Sequence, residues 1–353
     1  MNTVPTKTRD SNIELLRILT ICGVVVLHYN GNVAFNLVEV NSLNFYLLQG
    51  FEALFICAVN LFVLISGYFL SATNNRRAIK AVELVVQVVL IGIAFYLVSA
   101  ALSRTFSLKS MLAAAIPNNY FVALYTTLYL ISPYINLAIK KLSDKQLAIM
   151  TGLFFVLFSV WVTALDVFST VMGQGYGGLY TTNSLGSQFG YSLINFALMY
   201  IIGAMLRRME FGLKPYLYVV GFVASALVVF VWQLYQPLIA RAYCNPAVIL
   251  CAVFIFLIFK QFSFSSRIVN GLSKGSFTCF LVHGVLLNYI RIEKFVNSNP
   301  FMLVLHIIVS SVAIFAVSWV VWKIYDFVTK PVFGFVGTKL LWLNKILSPE
   351  ENC

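Results

Sequence analysis

The feature that most constrains this chain is a succession of ten apolar stretches, most near twenty residues long, joined by short polar links. They run over roughly 12–31, 45–70, 80–103, 119–139, 146–166, 187–206, 214–236, 246–260, 273–291 and 301–323. About 20 apolar residues in helical form cross the ~30 Å hydrocarbon layer of a bilayer. Each stretch therefore reads as a membrane helix, and the expected fold is all-α: a polytopic integral membrane bundle of about ten transmembrane helices. Composition points the same way. Of 353 residues, 60% are hydrophobic and only 10% are charged, too little charge for a water-soluble surface.

The formal charge of +12 invites a nucleic-acid reading. The basic residues are scattered between apolar runs, however, so membrane topology accounts for them and no nucleic-acid partner is expected. With the N terminus in the cytoplasm, all but five of the 24 lysines and arginines fall inside. The exceptions are Arg104, Lys109, Arg241, Arg291 and Lys294. This bias predicts both termini on the cytoplasmic side of a plasma or inner membrane. Cys22, Cys57, Cys244, Cys251, Cys279 and Cys353 show no Cys-x-x-Cys pair and no metal spacing. No metal site is expected. The first apolar stretch, Ile18 to Leu27, has the length of a signal-peptide core, but Glu14 lies at its start and no small-x-small cleavage site follows. A retained span is expected.

Residues 1–330 read as one transmembrane domain and 331–353 as a cytoplasmic tail, with Val332 to Leu347 an amphipathic surface helix after Pro331. The longest external link, Val167 to Gly186, is poor in charge and rich in Gly, Thr, Asn and Tyr. That composition suits sugar hydroxyls and ring stacking, and equally a plain connector.

Ionisable groups inside membrane helices are costly and turn toward a bundle interior or a watery cavity. The first span carries Glu14, Arg17 and His28. Arg17 and His28 are close to three helical turns apart, so they share a face about 16 Å apart along the axis. The plain alternative is that Glu14 and Arg17 pair at headgroup level and His28 is an interfacial residue. Glu52, at a similar depth on the second span, is placed to orient the imidazole or act as a second base; an interfacial carboxylate facing water is the alternative. The same span carries Asn60 and ends in Ser66-Gly67, which lets helices approach closely. Beyond it Arg76, Arg77 and Lys80 form a cationic cluster suited to phosphates or simply to topology. Tyr125 and Tyr129 stripe one face of the fourth span, as core or as site. His283, on the ninth span, is read as structurally hydrogen-bonded or as a second site histidine. No Ser-His-Asp order, zinc spacing, Walker loop or dinucleotide fingerprint is present.

Taken in order, these stretches resemble the membrane-bound acyltransferase 3 family. The likeness is carried by Arg17-x10-His28, Val59-Asn60-Leu61-Phe62-Val63-Leu64-Ile65-Ser66-Gly67-Tyr68, the run from Leu128 to Asn136, Tyr200-Ile201-Ile202-Gly203-Ala204 and Phe280-Leu281-Val282-His283. Two departures stand out: Tyr120-Phe121 lacks the tryptophan frequent in relatives, and the family's Arg-x3-Arg stands here as Arg76-x3-Lys80. The resemblance implies a ten-helix enzyme that moves an acyl group, commonly acetyl, from cytosolic acyl-CoA to a hydroxyl of an envelope or exported glycan. Acyl-CoA is then a donor substrate, with no permanently bound cofactor. Some relatives complete the transfer with an extracellular esterase-like domain, so this chain is expected either to finish the reaction itself or to hand the acyl group to a separate extracellular partner.

On these residues the expected site has His28 and Glu52 at the chemistry and Arg17, Arg76, Arg77 and Lys80 at the acyl-CoA phosphates. Glu14, Asn60, Ser66, Gly67, Tyr125 and His283 support it. His28 serves as general base, with an acyl-histidine intermediate as the variant. A competing class is a glycan or lipid-linked sugar exporter, whose polar residues would line a translocation path; a third is an envelope-polysaccharide polymerase or ligase.

Overall fold

The computed structural model describes residues 10–73, 75–117, 119–173 and 188–347. Among them no strand is present and helices carry the chain. Apart from one-turn pieces these are α1 Ser11–Tyr29, α2 Leu43–Phe55, α3 Ala58–Leu70, α4 Ala78–Ser103, α5 Leu108–Ala114, α6 Tyr120–Lys141, α7 Asp144–Phe155 and α8 Trp161–Met172. They continue with α9 Leu193–Arg208, α10 Pro215–Gln233, α11 Pro246–Lys260, α12 Arg267–Leu272, α13 Ser276–Leu287, α14 Pro300–Lys339 and α15 Leu341–Ile346.

Local chemistry starts many of them. Ser42, Asn119, Ser192, Asn245 and Ser266 each turn a side-chain oxygen back to a backbone N–H of the first turn, satisfying a donor the helix leaves open. Proline stands at the first position of α10 and α11, where its missing N–H costs nothing.

Seven helices among the described residues are long and apolar enough to cross a membrane: Ser11–Leu37, Leu43–Leu70, Ala78–Ser103, Tyr120–Lys141, Asp144–Met172, Pro215–Gln233 and Pro300–Lys339. The expected sixth, eighth and ninth spans correspond to shorter helices, α9, α11 and α12–α13. Three local features differ from the expectation. Val167 to Met172 is the end of α8 rather than a link, and 174–187, the rest of that stretch, lies outside the described residues. The second span is broken by a turn at Ile56–Cys57. The helix starting at Pro300 runs through Pro331 to Lys339, so no helix begins at Val332; the short α15 starts only at Leu341. A proline inside a membrane helix is tolerated where its surroundings absorb the lost hydrogen bond.

The chain divides into two compact units. One comprises Met1–Ile65, Val156–Gly190 and Phe211–Lys323; the other Ser66–Phe155, Tyr191–Glu210 and Ile324–Cys353. In the first, α1 packs against α2, α11, α12 and α13. Its approach to α2 uses Gly23, where a Cβ would overlap the Phe55 ring. In the second, α9 packs on α6 and α7 around Ile139, Leu147, Ile201 and Ala204.

Candidate functional site

The expected site residues fall into two clusters, one in each unit. In the first unit α1 carries Glu14, Arg17 and His28 along one helix, as the spacing requires. Arg17 Nη1 donates to Glu14 Oε1 at 3.1 Å, the pairing set out above as the plain alternative. Glu14 is buried, while the Arg17 side chain keeps 28% of its surface accessible. The cation is thus paired with a buried carboxylate while part of its side chain stays accessible. Three turns on, His28 is exposed although its neighbours Leu27 and Tyr29 are buried. The helix then widens into a π-helical turn, Asn30–Ala34, a distortion that recurs at functional sites.

That turn brings Asn30 to α2. Its amide donates to Glu52 Oε2 at 3.0 Å and to the Leu48 carbonyl at 3.2 Å. Glu52 is therefore bonded to Asn30 rather than to the imidazole. The ring that meets His28 belongs to His283 on α13, with centroids 4.6 Å apart and planes 23° from parallel. His283 is buried, and its Nδ1 lies 3.0 Å from the Cys279 carbonyl one turn earlier.

Beside Glu52 a polar network extends that the sequence reading did not single out. Arg241 donates to Gln233 Oε1 at 2.9 Å and to Gln49 Oε1 at 2.6 Å, and its guanidinium lies over the Phe35 ring at 4.7 Å. Gln233 closes the loop by donating to the Gln49 carbonyl at 2.7 Å. Burial pulls the Arg241 pKa down and the charge on Glu52 holds it up. One signal for this cluster was present: Gln49 and Glu52, three residues apart, must share a helix face. Asn60 donates to the Tyr243 carbonyl at 2.7 Å and so ties down the segment next to Arg241.

The second unit holds Ser66, Gly67, Arg76, Arg77, Lys80 and Tyr125. Pro133 lacks the N–H that the Tyr129 carbonyl would accept in an unbroken α6. Ser132 Oγ donates to that carbonyl instead, at 2.7 Å. The same oxygen accepts from Arg76 Nε at 2.8 Å. Arg76 is 2% exposed, and its remaining donors reach the carbonyls of Leu70, Thr73 and Asn75 and the Tyr200 hydroxyl. Asn136 donates to the Leu70 and Thr73 carbonyls as well and accepts from Tyr200. In this unit Arg76 is a buried tie on the end of α3. Arg77 is exposed, and Lys80 is exposed and paired with Glu83 at 3.0 Å. The Ser66 and Tyr125 hydroxyls share a 3.0 Å hydrogen bond. A Cβ on Gly67 would overlap the Tyr200 backbone, so the glycine permits the contact of α3 with α9. Arg207, not foreseen, lies over the Tyr68 ring at 5.4 Å.

Among the described residues no group of three or more His, Cys, Asp or Glu side chains could hold a metal ion. The chain was compared with known proteins in three ways. A family model described as an acyltransferase domain matches residues 10–323, nearly the whole chain. Comparison with curated proteins and with solved structures finds no match.

Proposed function

The chain belongs to that acyltransferase family, and on this premise we propose that it transfers an acyl group, acetyl in the first instance, from cytosolic acyl-CoA to a hydroxyl of an envelope or exported glycan. Membership makes it a membrane acyltransferase in the general sense; donor, acceptor and residue roles are our reading. The observation that carries it is α1 itself. A partly accessible guanidinium and an exposed imidazole stand on one helix about 16 Å apart, comparable with the reach of an extended pantetheine arm.

In this reading the Arg17 end of α1 faces the cytoplasm, and the partly accessible Arg17 guanidinium binds a CoA phosphate. Arg77 and Lys80 are the accessible members of the second cationic stretch and serve phosphate in the same way. Arg76 shapes the backbone that carries them. Neutral His28 accepts the proton of the acceptor hydroxyl as its oxygen attacks the thioester carbon. The new C–O bond forms, the C–S bond breaks, and the proton passes from His28 to the departing thiolate. Glu52 acts through Asn30: it holds the side-chain amide of the residue that begins the π-helical turn after His28, and so fixes where the imidazole stands.

The test uses the purified protein with acetyl-CoA. His28→Ala is expected to lower release of free CoA in the presence of acceptor membranes by a factor of about 10² to 10⁴, the usual worth of a general base. Its thermal stabilisation by acetyl-CoA should remain. Arg17→Ala is expected to weaken that stabilisation by roughly ten-fold in apparent Kd, as loss of a charge-assisted contact requires. Wild-type turnover in His28→Ala would reject the base. A wild-type protein stabilised by free sugar and indifferent to acetyl-CoA would favour an exporter.

A further inference from the structure

The stacked partner of His28 has an unspent nitrogen. His283 Nδ1 lies against a backbone carbonyl, which can only accept, so Nδ1 carries the ring proton and Nε2 is left with a lone pair. That Nε2 is buried and has no hydrogen-bond partner among the described residues. The residue as a whole is 5% exposed. Leaving a buried acceptor unmatched is unfavourable, and such atoms are rare unless something outside the protein matches them. His283 is also positioned with care: its ring packs on His28 at 4.6 Å and lies tilted at 40° to Phe280 at 6.0 Å. A bare, buried acceptor thus stands directly beside the exposed imidazole.

Two imidazoles side by side call for two O–H donors. The attacking hydroxyl has a single proton, and in the reaction above it goes to His28. The hydrogen that His283 Nε2 lacks must come from another hydroxyl. We propose that His283 is a substrate-binding residue whose Nε2 accepts a hydrogen bond from a second hydroxyl of the acceptor, adjacent to the one acylated. This rests on the acyl-CoA reading and narrows it: the acceptor class is a polyhydroxyl compound with neighbouring hydroxyls, and simple alcohols are poor acceptors.

The experiment measures free CoA released from acetyl-CoA by the detergent-purified full chain. Glycerol is the polyhydroxyl probe and 1-propanol the single-hydroxyl probe. Wild type is expected to use glycerol with a kcat/KM roughly ten-fold above that for 1-propanol, the worth of one added hydrogen bond. His283→Leu should abolish this preference, acting on glycerol alone and leaving thermal stabilisation by acetyl-CoA unchanged. His283→Gln, whose amide oxygen reaches a similar place, should retain most of it; this variant carries the test if the leucine protein does not fold. A retained preference in His283→Leu, a lost preference in a folded His283→Gln, or equal use of both probes by wild type would overturn the subsite. So would loss of acetyl-CoA stabilisation together with the preference, since that marks a structural role. If wild type releases CoA with acceptor membranes but with neither probe, the subsite is overturned and the acyl-CoA reading stands; if it releases none with acceptor membranes either, that reading fails and this inference with it.

Discussion

Arg76 shows how far a residue's meaning depends on its surroundings. In the sequence it is one of three closely spaced cations, and phosphate is the natural partner. In the folded chain its guanidinium is spent on Ser132, on the Leu70, Thr73 and Asn75 carbonyls and on Tyr200, with 2% of the residue exposed. Arg76→Lys should therefore act on stability: one ammonium cannot span that fork, and about 1–3 kcal/mol is expected for each buried partner left unmatched. Thermal unfolding in detergent micelles checks this, with the Tm expected to fall by several degrees. Arg77→Ala, at an exposed side chain, should leave the Tm within error and weaken acetyl-CoA stabilisation instead. The reverse pattern would exchange the two roles. Some of the placement at this scale could be read in advance. Arg17 and His28 needed only helix geometry, because one helix carries both. The stacking of His28 on His283 could not be read, since the two rings come from opposite ends of the chain and spacing says nothing about them. For Glu52 the sequence left open an orienting carboxylate and one facing water; it is buried, and its partner Asn30 depends on a π-helical turn for which hydropathy has no signature.

Elements were legible where apolar length decides them. The expected 45–70, 80–103 and 119–139 lie close to Leu43–Leu70, Ala78–Ser103 and Tyr120–Lys141. What a hydropathy window misses are joints one turn long, because it averages over about 19 residues. The breaks at Ile56–Cys57 and at Ser273–Gly275 are of this kind. Helix contacts were partly legible through glycine, and this yields a paired prediction. Gly67→Ala would press a methyl group into the Tyr200 backbone, which cannot yield as a side-chain tip can, so α3 and α9 must separate. A loss of about 1–3 kcal/mol is expected, the usual cost of overpacking. Gly152, within α7, has open space around its missing Cβ. There the same substitution should be neutral or raise stability by about 0.5–1 kcal/mol, because alanine favours the helix. Thermal unfolding of the two single variants side by side decides the matter; equal behaviour would remove the close contact from the account.

For the whole molecule, the number of crossings fixes where the chain ends. Seven helices cross on length and apolarity alone, and an odd number puts the termini on opposite faces. Ten crossings put both on the same face, as the distribution of lysine and arginine predicts. The difference lies in α9, α11 and the α12–α13 run. At ~1.5 Å per residue the 16 residues of α9 reach about 24 Å, short for lipid-exposed crossing. Most of α9 is buried in protein, however, and a buried segment need not match the hydrocarbon thickness by itself. The α12–α13 run is divided only by the 3₁₀ turn at Ser273–Gly275; counted from Arg267 to Leu287 it is long enough to cross. Arg207 and Arg208 end α9 and Lys260 ends α11, the basic terminus expected of a span that stops at a cytoplasmic surface. On this ground we propose three further crossings, which would place His283 within the membrane. Epitope tags at the two ends of the full chain should both need membrane permeabilisation before an antibody reaches them. Staining of one end alone in intact cells would make the count odd and remove at least one of α9, α11 and the α12–α13 run from the set of crossing helices.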